Sequence, residues 1–257
     1  MTATTVGTQA IVWRTCPIAE GSGTSVAGRL RDVGASGRAR AAEIPHPAAR
    51  ARFVAGRALL HGMVAERRPH RHGTELGIEV DGSGRPHPCA SDGLEVSVSH
   101  THGLAVAAVS PVGTIGIDVE PLTRTDLPAT RVWLTARELR RIAALPAPER
   151  RMQLLHLWVA KEATFKACRR VGTATLRGTE VQGRCVGDGA PVGGDAAAVS
   201  ELGRIDDAPG AVRVGQGRAL VTFDAADPLT LTAEIAWYTV ADGFLVALAT
   251  AVSAPPR

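Results

Sequence analysis

The chain has 257 residues, 45% of them hydrophobic, and a net charge of +4 from 29 Lys and Arg against 25 Asp and Glu. That length supports one large domain or two small ones with real cores. No run of ~18 apolar residues would cross a membrane, Met1 to Ala10 does not read as a secretory signal, and an aromatic content of 4% argues against a base-stacking platform for single strands.

The four cysteines, Cys16, Cys89, Cys168 and Cys185, form no C-x-x-C pair. They read as reduced thiols in a cytoplasmic protein, without zinc. A short strand is expected around Ile11–Trp13, and residues 21–43 show no clear period. A helix should begin at Pro47, since proline suits a first turn, and end before Pro69. Gly56 and Gly62 within it would permit close packing.

Residues 81–93 are rich in turn formers and read as a loop. Three strand-like runs follow, LEVSVSH, LAVAAVS and TIGIDVE, separated by Gly103 and by Pro111-Val112-Gly113. Turns that short predict an antiparallel meander. Thr135 with Glu138 three residues on forms a capping box for the next helix. A longer helix should run from Pro148 to near Gly172, with Glu149 in its first turn, Arg169 and Arg170 in its last, and Leu154, Trp158, Phe165 and Cys168 as its buried stripe. Residues 186–217 read as a long loop, followed by strands at ALVTFD, EIAWYTV and FLVALAT. The fold class is α+β, with a division near residue 112.

The cations are unevenly chosen. There are 27 arginines and two lysines, Lys161 and Lys166, five residues apart. Where arginine fills the other cationic positions, these two point to a need for a compact ammonium. Lys161 lies toward the apolar stripe, so its head should reach a cleft edge or a partner.

Four short motifs carry candidate chemistry. In GIDVE, Ile115, Ile117 and Val119 alternate with Gly116, Asp118 and Glu120. Strand periodicity sends the isoleucines and valine into the core and the two acids to the other face, ~6.5 Å apart at the backbone. Two such carboxylates can converge on a hard cation such as Mg²⁺; alone, they more readily describe a solvated strand face. In WVAKEATFK, Glu162 and Lys166 are i and i+4 on one helix face, which by itself also describes a surface ion pair. Ser99 and His100 end a strand, with no G-x-S-x-G elbow that would make the serine a nucleophile. Gly84-Arg85-Pro86 is a turn carrying one cation.

Taken in order, G-[KR]-P, S-x-S-H, G-I-D-[IV]-E and W-x-x-K-E-x-x-x-K resemble the 4′-phosphopantetheinyl transferases, of the long monomeric type that activates surfactin-like synthetases. The resemblance runs from about Arg50 to Gly172. It implies an enzyme that moves phosphopantetheine from coenzyme A to a serine of an apo acyl or peptidyl carrier protein, for polyketide, nonribosomal peptide or fatty acid synthesis. It implies two similar α+β subdomains in a pseudo-twofold pair, each a small antiparallel sheet with a packed long helix, here 1–112 and 113–257 with the cleft between them. It implies that Asp118, Glu120 and Glu162 hold Mg²⁺, that Glu162 is also the general base, and that Lys166 contacts the pyrophosphate. Ser99 and His100 would bind the pyrophosphate and 3′-phosphate, and Gly84, Arg85 and Pro86 would lie along the adenine. Arg57 would stand near the 3′-phosphate, with Arg50 and Arg52 as looser candidates. Arg85 departs from the more common lysine, and Cys168-Arg169-Arg170 stands where the family often has G-x-G. A monomer without nucleic-acid or membrane partners is expected. Another Mg²⁺-dependent phosphate enzyme, a nucleic-acid binder and a non-catalytic scaffold are the competing readings.

Overall fold

In the computed structural model of the chain, the described residues are 10–18, 23–70, 77–82, 84–89, 93–168, 176–185, 205–222, 230–240 and 243–252. Strand β5 (Leu104–Ser110) is buried at every position. Its unbroken apolar run suits a strand covered on both faces. Antiparallel neighbours β4 (Glu95–Thr101) and β1 (Ile11–Pro17) occupy its two edges. β8 (Ile205–Asp206) adds to β1 in parallel, completing the order β4-β5-β1-β8.

The second sheet runs β6-β11-β10-β9-β7, antiparallel throughout. Its strands are β6 (Ile115–Pro121), β7 (Thr179–Cys185), β9 (Val212–Thr222), β10 (Thr230–Val240) and β11 (Phe244–Val252). The meander expectation therefore fails at its third strand. β5 has no edge left for β6, because β4 and β1 hold both; the chain turns at Gly113 (φ 150°) and β6 pairs with β11 instead.

The two sheets pack face to face. Ile11, Trp13, Val106 and Ala108 meet Ile117, Val119, Tyr238, Val246 and Leu248 between them. Helix α3 (Pro47–Arg67) covers the outer face of the first sheet, where Leu60, Met63 and Val64 meet Val96, Ala107 and Val109. Helix α5 (Ala147–Ala167) covers the outer face of the second. The architecture is thus α+β, two antiparallel-rich sheets flanked by long helices. Each fully buried large aliphatic side chain, such as Leu60 or Leu245, contributes on the order of 1.5–3 kcal/mol.

Local chemistry sets the helix ends. α3 starts on Pro47 and stops two residues before Pro69. α4 (Ala136–Ala143) has the expected capping box, with the Glu138 amide donating to Thr135 Oγ1 and the Thr135 amide donating to Glu138 Oε2. α5 stops at Ala167, short of the expected Gly172; Arg169, Arg170 and Gly172 lie outside the described residues. Its buried stripe also differs. Leu154, Trp158 and Phe165 are half-buried, while Ala160, Ala163 and Ala167 are fully buried against the sheet. Small side chains let this helix lie close to the strands.

Three weakly patterned regions hold structure that the sequence reading leaves out. Residues 21–43 contain α1 (Gly23–Arg29) and α2 (Ala35–Glu43). The 81–93 loop is in part a hairpin, β2 (Ile78–Val80) and β3 (Pro86–Pro88), turned by Gly84 at φ 84°. Of the 186–217 loop, 186–204 lies outside the described residues, but 205–206 is β8 and 212–217 is the start of β9, where Val212 and Val214 alternate with Arg213 and Gly215. Cys16, Cys89 and Cys168 are free thiols. No helix among the described residues is long and apolar enough to cross a membrane.

Candidate active site

The site begins where two sheet edges face each other without pairing. β4 ends the first sheet and β6 ends the second, and the two lie side by side. Side chains satisfy the bare edge of β6. The Ile117 amide donates to Ser97 Oγ at 3.0 Å, and Lys166 Nζ donates to the Ile117 carbonyl at 3.1 Å. A buried edge left unpaired would cost ~1–3 kcal/mol per group.

Gly116 decides which helix face meets this edge. A Cβ built there would stand 1.9 Å from the Ala163 carbonyl oxygen and 2.6 Å from the Ala167 nitrogen. α5 therefore crosses β6 in backbone contact, possible only over glycine. That crossing carries Glu162 and Lys166 alongside Asp118. Lys166 Nζ donates to Asp118 Oδ1 at 2.7 Å and to Ser99 Oγ at 3.0 Å, and Ser99 Oγ donates to Asp118 Oδ1 at 2.7 Å. Asp118 Oδ2 is buried and has no hydrogen-bond partner among the described residues.

Glu120 lies further along the same strand face. Its Oε1 accepts from Trp158 Nε1 at 3.2 Å and from Arg124. Burial, and then the charge of Asp118, push its carboxyl up to about 6, against the opposing pull of Arg124. Glu162 is likewise raised, first by burial and then by Asp118. Crowded carboxylates that raise one another hold more negative charge than their neighbours neutralise.

Glu162 and Lys166 line a cavity of about 1090 Å³; Asp118 meets it through its bonds to Lys166 and Ser99, and Glu120 is not part of its wall. β4 supplies Ser99 and His100, the hairpin supplies Gly84, Arg85 and Pro86, and α3 supplies Arg57. Gly56 lets α3 approach β4, since a Cβ there would reach 3.0 Å from Val98 Cγ2. Arg57 is buried, stacks over Phe53 at 5.3 Å, and has Nη1 without a partner among the described residues. A buried guanidinium with an unused donor suits an anion. His100 is held below the usual imidazole range by burial, and the cations Lys166, Arg52 and Arg57 push it further the same way. Arg85 Nη2 donates to the Phe165 carbonyl at 2.6 Å, joining the hairpin to the end of α5. Arg50 and Arg52 stand outside this wall; Arg50 bonds the carbonyls of Ile44 and Pro45.

The donor set fits a hard divalent cation. It is all oxygen, it is under-neutralised, and it includes the orphaned Asp118 Oδ2. Among the described residues no three acid, imidazole or thiol side chains close on one point as placed. Mg²⁺ needs only one or two carboxylates, completing its shell with water and substrate phosphates.

Lys161 proves to be the partner-seeking side chain. It is fully buried and pairs with Glu138 at 2.6 Å, away from the cavity. Ser97, Arg124 and Trp158 also contact these groups; Ser97 and Trp158 stand in two of the motifs without an assigned role, and Arg124 stands in none. Ser97 shares a strand face with Ser99, a period-two signal that could have found it. Nothing in the local spacing marks Arg124.

Residues 114–188 match the family model described as the 4′-phosphopantetheinyl transferase superfamily. The chain is also 33% identical over 141 residues to the 4′-phosphopantetheinyl transferase HetI of Nostoc sp. (strain PCC 7120), covering 50% of this chain and 56% of that protein. The chain thus spans about half the length of the curated relative it matches. The matched stretch 114–188 holds Asp118, Glu120, Glu162 and both lysines.

Proposed function

We propose that this chain transfers 4′-phosphopantetheine from coenzyme A to a serine of an apo acyl or peptidyl carrier protein, releasing 3′,5′-ADP, with Mg²⁺ at Asp118, Glu120 and Glu162. The observation that carries it is the crossing of α5 over Gly116, which places Glu162 and Lys166 with Asp118 beside a cation-lined cavity. The superfamily match over that stretch and the activity in the relative's name point the same way.

In the reaction the carrier serine oxygen bonds to the phosphorus bearing pantetheine, the anhydride bond to 3′,5′-ADP breaks, and the serine proton must leave. Glu162 takes that proton, and burial with Asp118 nearby makes it a better acceptor than a solvated glutamate. Lys166, on the cavity wall, stabilises charge on the phosphoryl oxygens. Arg57 and His100 hold the 3′-phosphate, Ser99 the pyrophosphate, and Gly84, Arg85 and Pro86 flank the adenine. Arg50 and Arg52 contribute positive field at the rim. Bound Mg²⁺ would neutralise the pyrophosphate and favour in-line displacement.

The assignment extends to a single-chain cytoplasmic enzyme of the surfactin-synthetase-activating type. Its halves, 1–112 and 113–257, form the pseudo-twofold pair, and its partners are coenzyme A and the carrier rather than nucleic acid or membrane. The test is intact-mass analysis of apo carrier proteins incubated with the chain, coenzyme A and Mg²⁺. A gain of one phosphopantetheine is expected, lost on adding EDTA and reduced at least ~10²-fold in rate by Glu162→Gln. A folded protein that leaves fatty-acid, polyketide and peptide carriers unmodified overturns the proposal.

A further inference from the structure

Glu120 is held by a device that the reaction chemistry alone does not call for. After β6 the chain makes a tight turn, with the Arg124 amide donating to the Pro121 carbonyl at 2.9 Å. The turn folds Arg124 back over the strand it has just left. Its guanidinium pairs with Glu120 Oε1, lies 5.5 Å over the Trp158 ring, and reaches Asp126 through Nε at 3.2 Å. Trp158 Nε1 donates to the same Glu120 oxygen at 3.2 Å, and the indole is itself wedged edge-on against Trp133 at 5.3 Å.

Two donors thus converge on one carboxylate oxygen, and each is held by a further contact, Arg124 by Asp126 and the Trp158 ring, Trp158 by Trp133. The other oxygen, Oε2, takes no hydrogen bond among the described residues. Asp118 repeats the arrangement: Ser99 and Lys166 hold Oδ1, while Oδ2 is buried without a partner. Each acid is pinned through one oxygen and presents the other.

We propose that Arg124 is a positioning residue for the cation site, which with Trp158 fixes Glu120 Oε1 so that Oε2 is presented for coordination. The proposal rests on the reading of Asp118, Glu120 and Glu162 as cation ligands. Side chains that orient metal ligands commonly carry 10–100-fold in metal affinity. Coulomb's law alone predicts the opposite sign, because removing a cation from beside a metal site should tighten binding. A loss of affinity therefore reports orientation rather than charge.

The experiment is Mn²⁺ binding to the full chain in saturating coenzyme A, read by the EPR signal of free Mn²⁺ with a coenzyme A blank. Wild type is compared with Arg124→Gln, Arg124→Lys and Trp158→Phe, each checked for an unchanged circular dichroism spectrum. Arg124→Gln should bind Mn²⁺ about tenfold more weakly, and Trp158→Phe should also weaken it. Arg124→Lys, which keeps one donor but loses the planar fork, should fall between. Transfer by Arg124→Gln should recover at high Mg²⁺, so the defect lies in the metal KM and not in kcat. Equal or tighter Mn²⁺ binding by Arg124→Gln overturns the proposal. Absence of Mn²⁺ binding by wild type overturns the cation-site reading itself, and the proposal with it.

Discussion

Lys161 and Lys166 sit on one helix, and each pairs with a carboxylate, yet the two pairs are surrounded differently. Lys161 donates to Glu138, to the Trp133 carbonyl at 2.8 Å and to the Leu176 carbonyl at 3.0 Å. Glu138 in turn accepts from the Thr135 and Val181 amides, at 2.8 and 2.9 Å. Both oxygens of that acid are satisfied, and neither side chain meets solvent. Lys166 also uses its three donors on protein acceptors, but its partner Asp118 keeps a buried oxygen unmatched, and its own side chain is 28% exposed at the cavity. What separates the two ion pairs is whether their polar groups are fully matched, more than how deeply they are buried.

That contrast gives different expectations for the same substitution. Lys161→Met leaves Glu138 as an unpaired buried charge, which should cost roughly 3–5 kcal/mol of stability. In a chain of this size that lowers Tm by roughly 6–20 °C, while transfer by the molecules that stay folded is little changed. Adding Glu138→Gln should recover part of the loss, because a neutral amide can still accept one of the two backbone N–H groups. Lys166→Met should strike transfer first, lowering the rate ~10²–10³-fold, with a smaller loss of Tm than Lys161→Met because the Lys166 side chain stands partly open to the cavity. Thermal melts and carrier mass assays on the two variants decide it. Equal Tm losses in both would break the distinction.

Gly116→Ala attacks what both lysines depend on, the seating of α5. A methyl group there meets helix backbone rather than a movable side chain. The helix must lift away from β6, at a cost of roughly 3 kcal/mol. The lift also separates Glu162 and Lys166 from Asp118, and a displacement near 1 Å can cost ~10² in rate. Loss of both stability and transfer is the expected signature. A variant with wild-type Tm and turnover would show that the close crossing is not required.

Sequence patterns revealed the parts of this arrangement that depend on near neighbours. The alternation in GIDVE placed Ile117 and Val119 in the core and Asp118 with Glu120 on the opposite face, because strand periodicity is local. Proline at positions 47, 69 and 148 and the Thr135–Glu138 box marked helix ends for the same reason. Other features needed partners distant in sequence. That β6 abandons β5 follows from β1 taking the edge nearly a hundred residues earlier in the chain. That Gly116 is a contact point rather than merely spare room follows from Ala163. Arg124 is an ordinary arginine until the turn and Trp158 bring it onto Glu120. Within the site, the acids and the lysine that meet were legible, but the side chains that contact them from elsewhere were not.

His156, on the same helix as the two lysines, supplies the case of a buried basic group with no acid beside it among the described residues. It is 8% exposed, and its Nδ1 has no partner. Burial pulls its imidazole down to about 4, from an ordinary 6.5. Between those values the unfolded chain binds a proton that the folded chain does not. Stability from this residue is therefore complete above pH 6.5 and falls as the pH drops toward 4. From pH 7 to 5.5 the loss is roughly 1 kcal/mol. Urea unfolding at the two pH values measures it. His156→Phe removes the titrating group, so its unfolding free energy should fall by about 1 kcal/mol less than wild type over the same interval. Parallel pH dependence in the two proteins would mean that His156 meets a proton acceptor or water in the folded state, and is not a buried group without a matched partner.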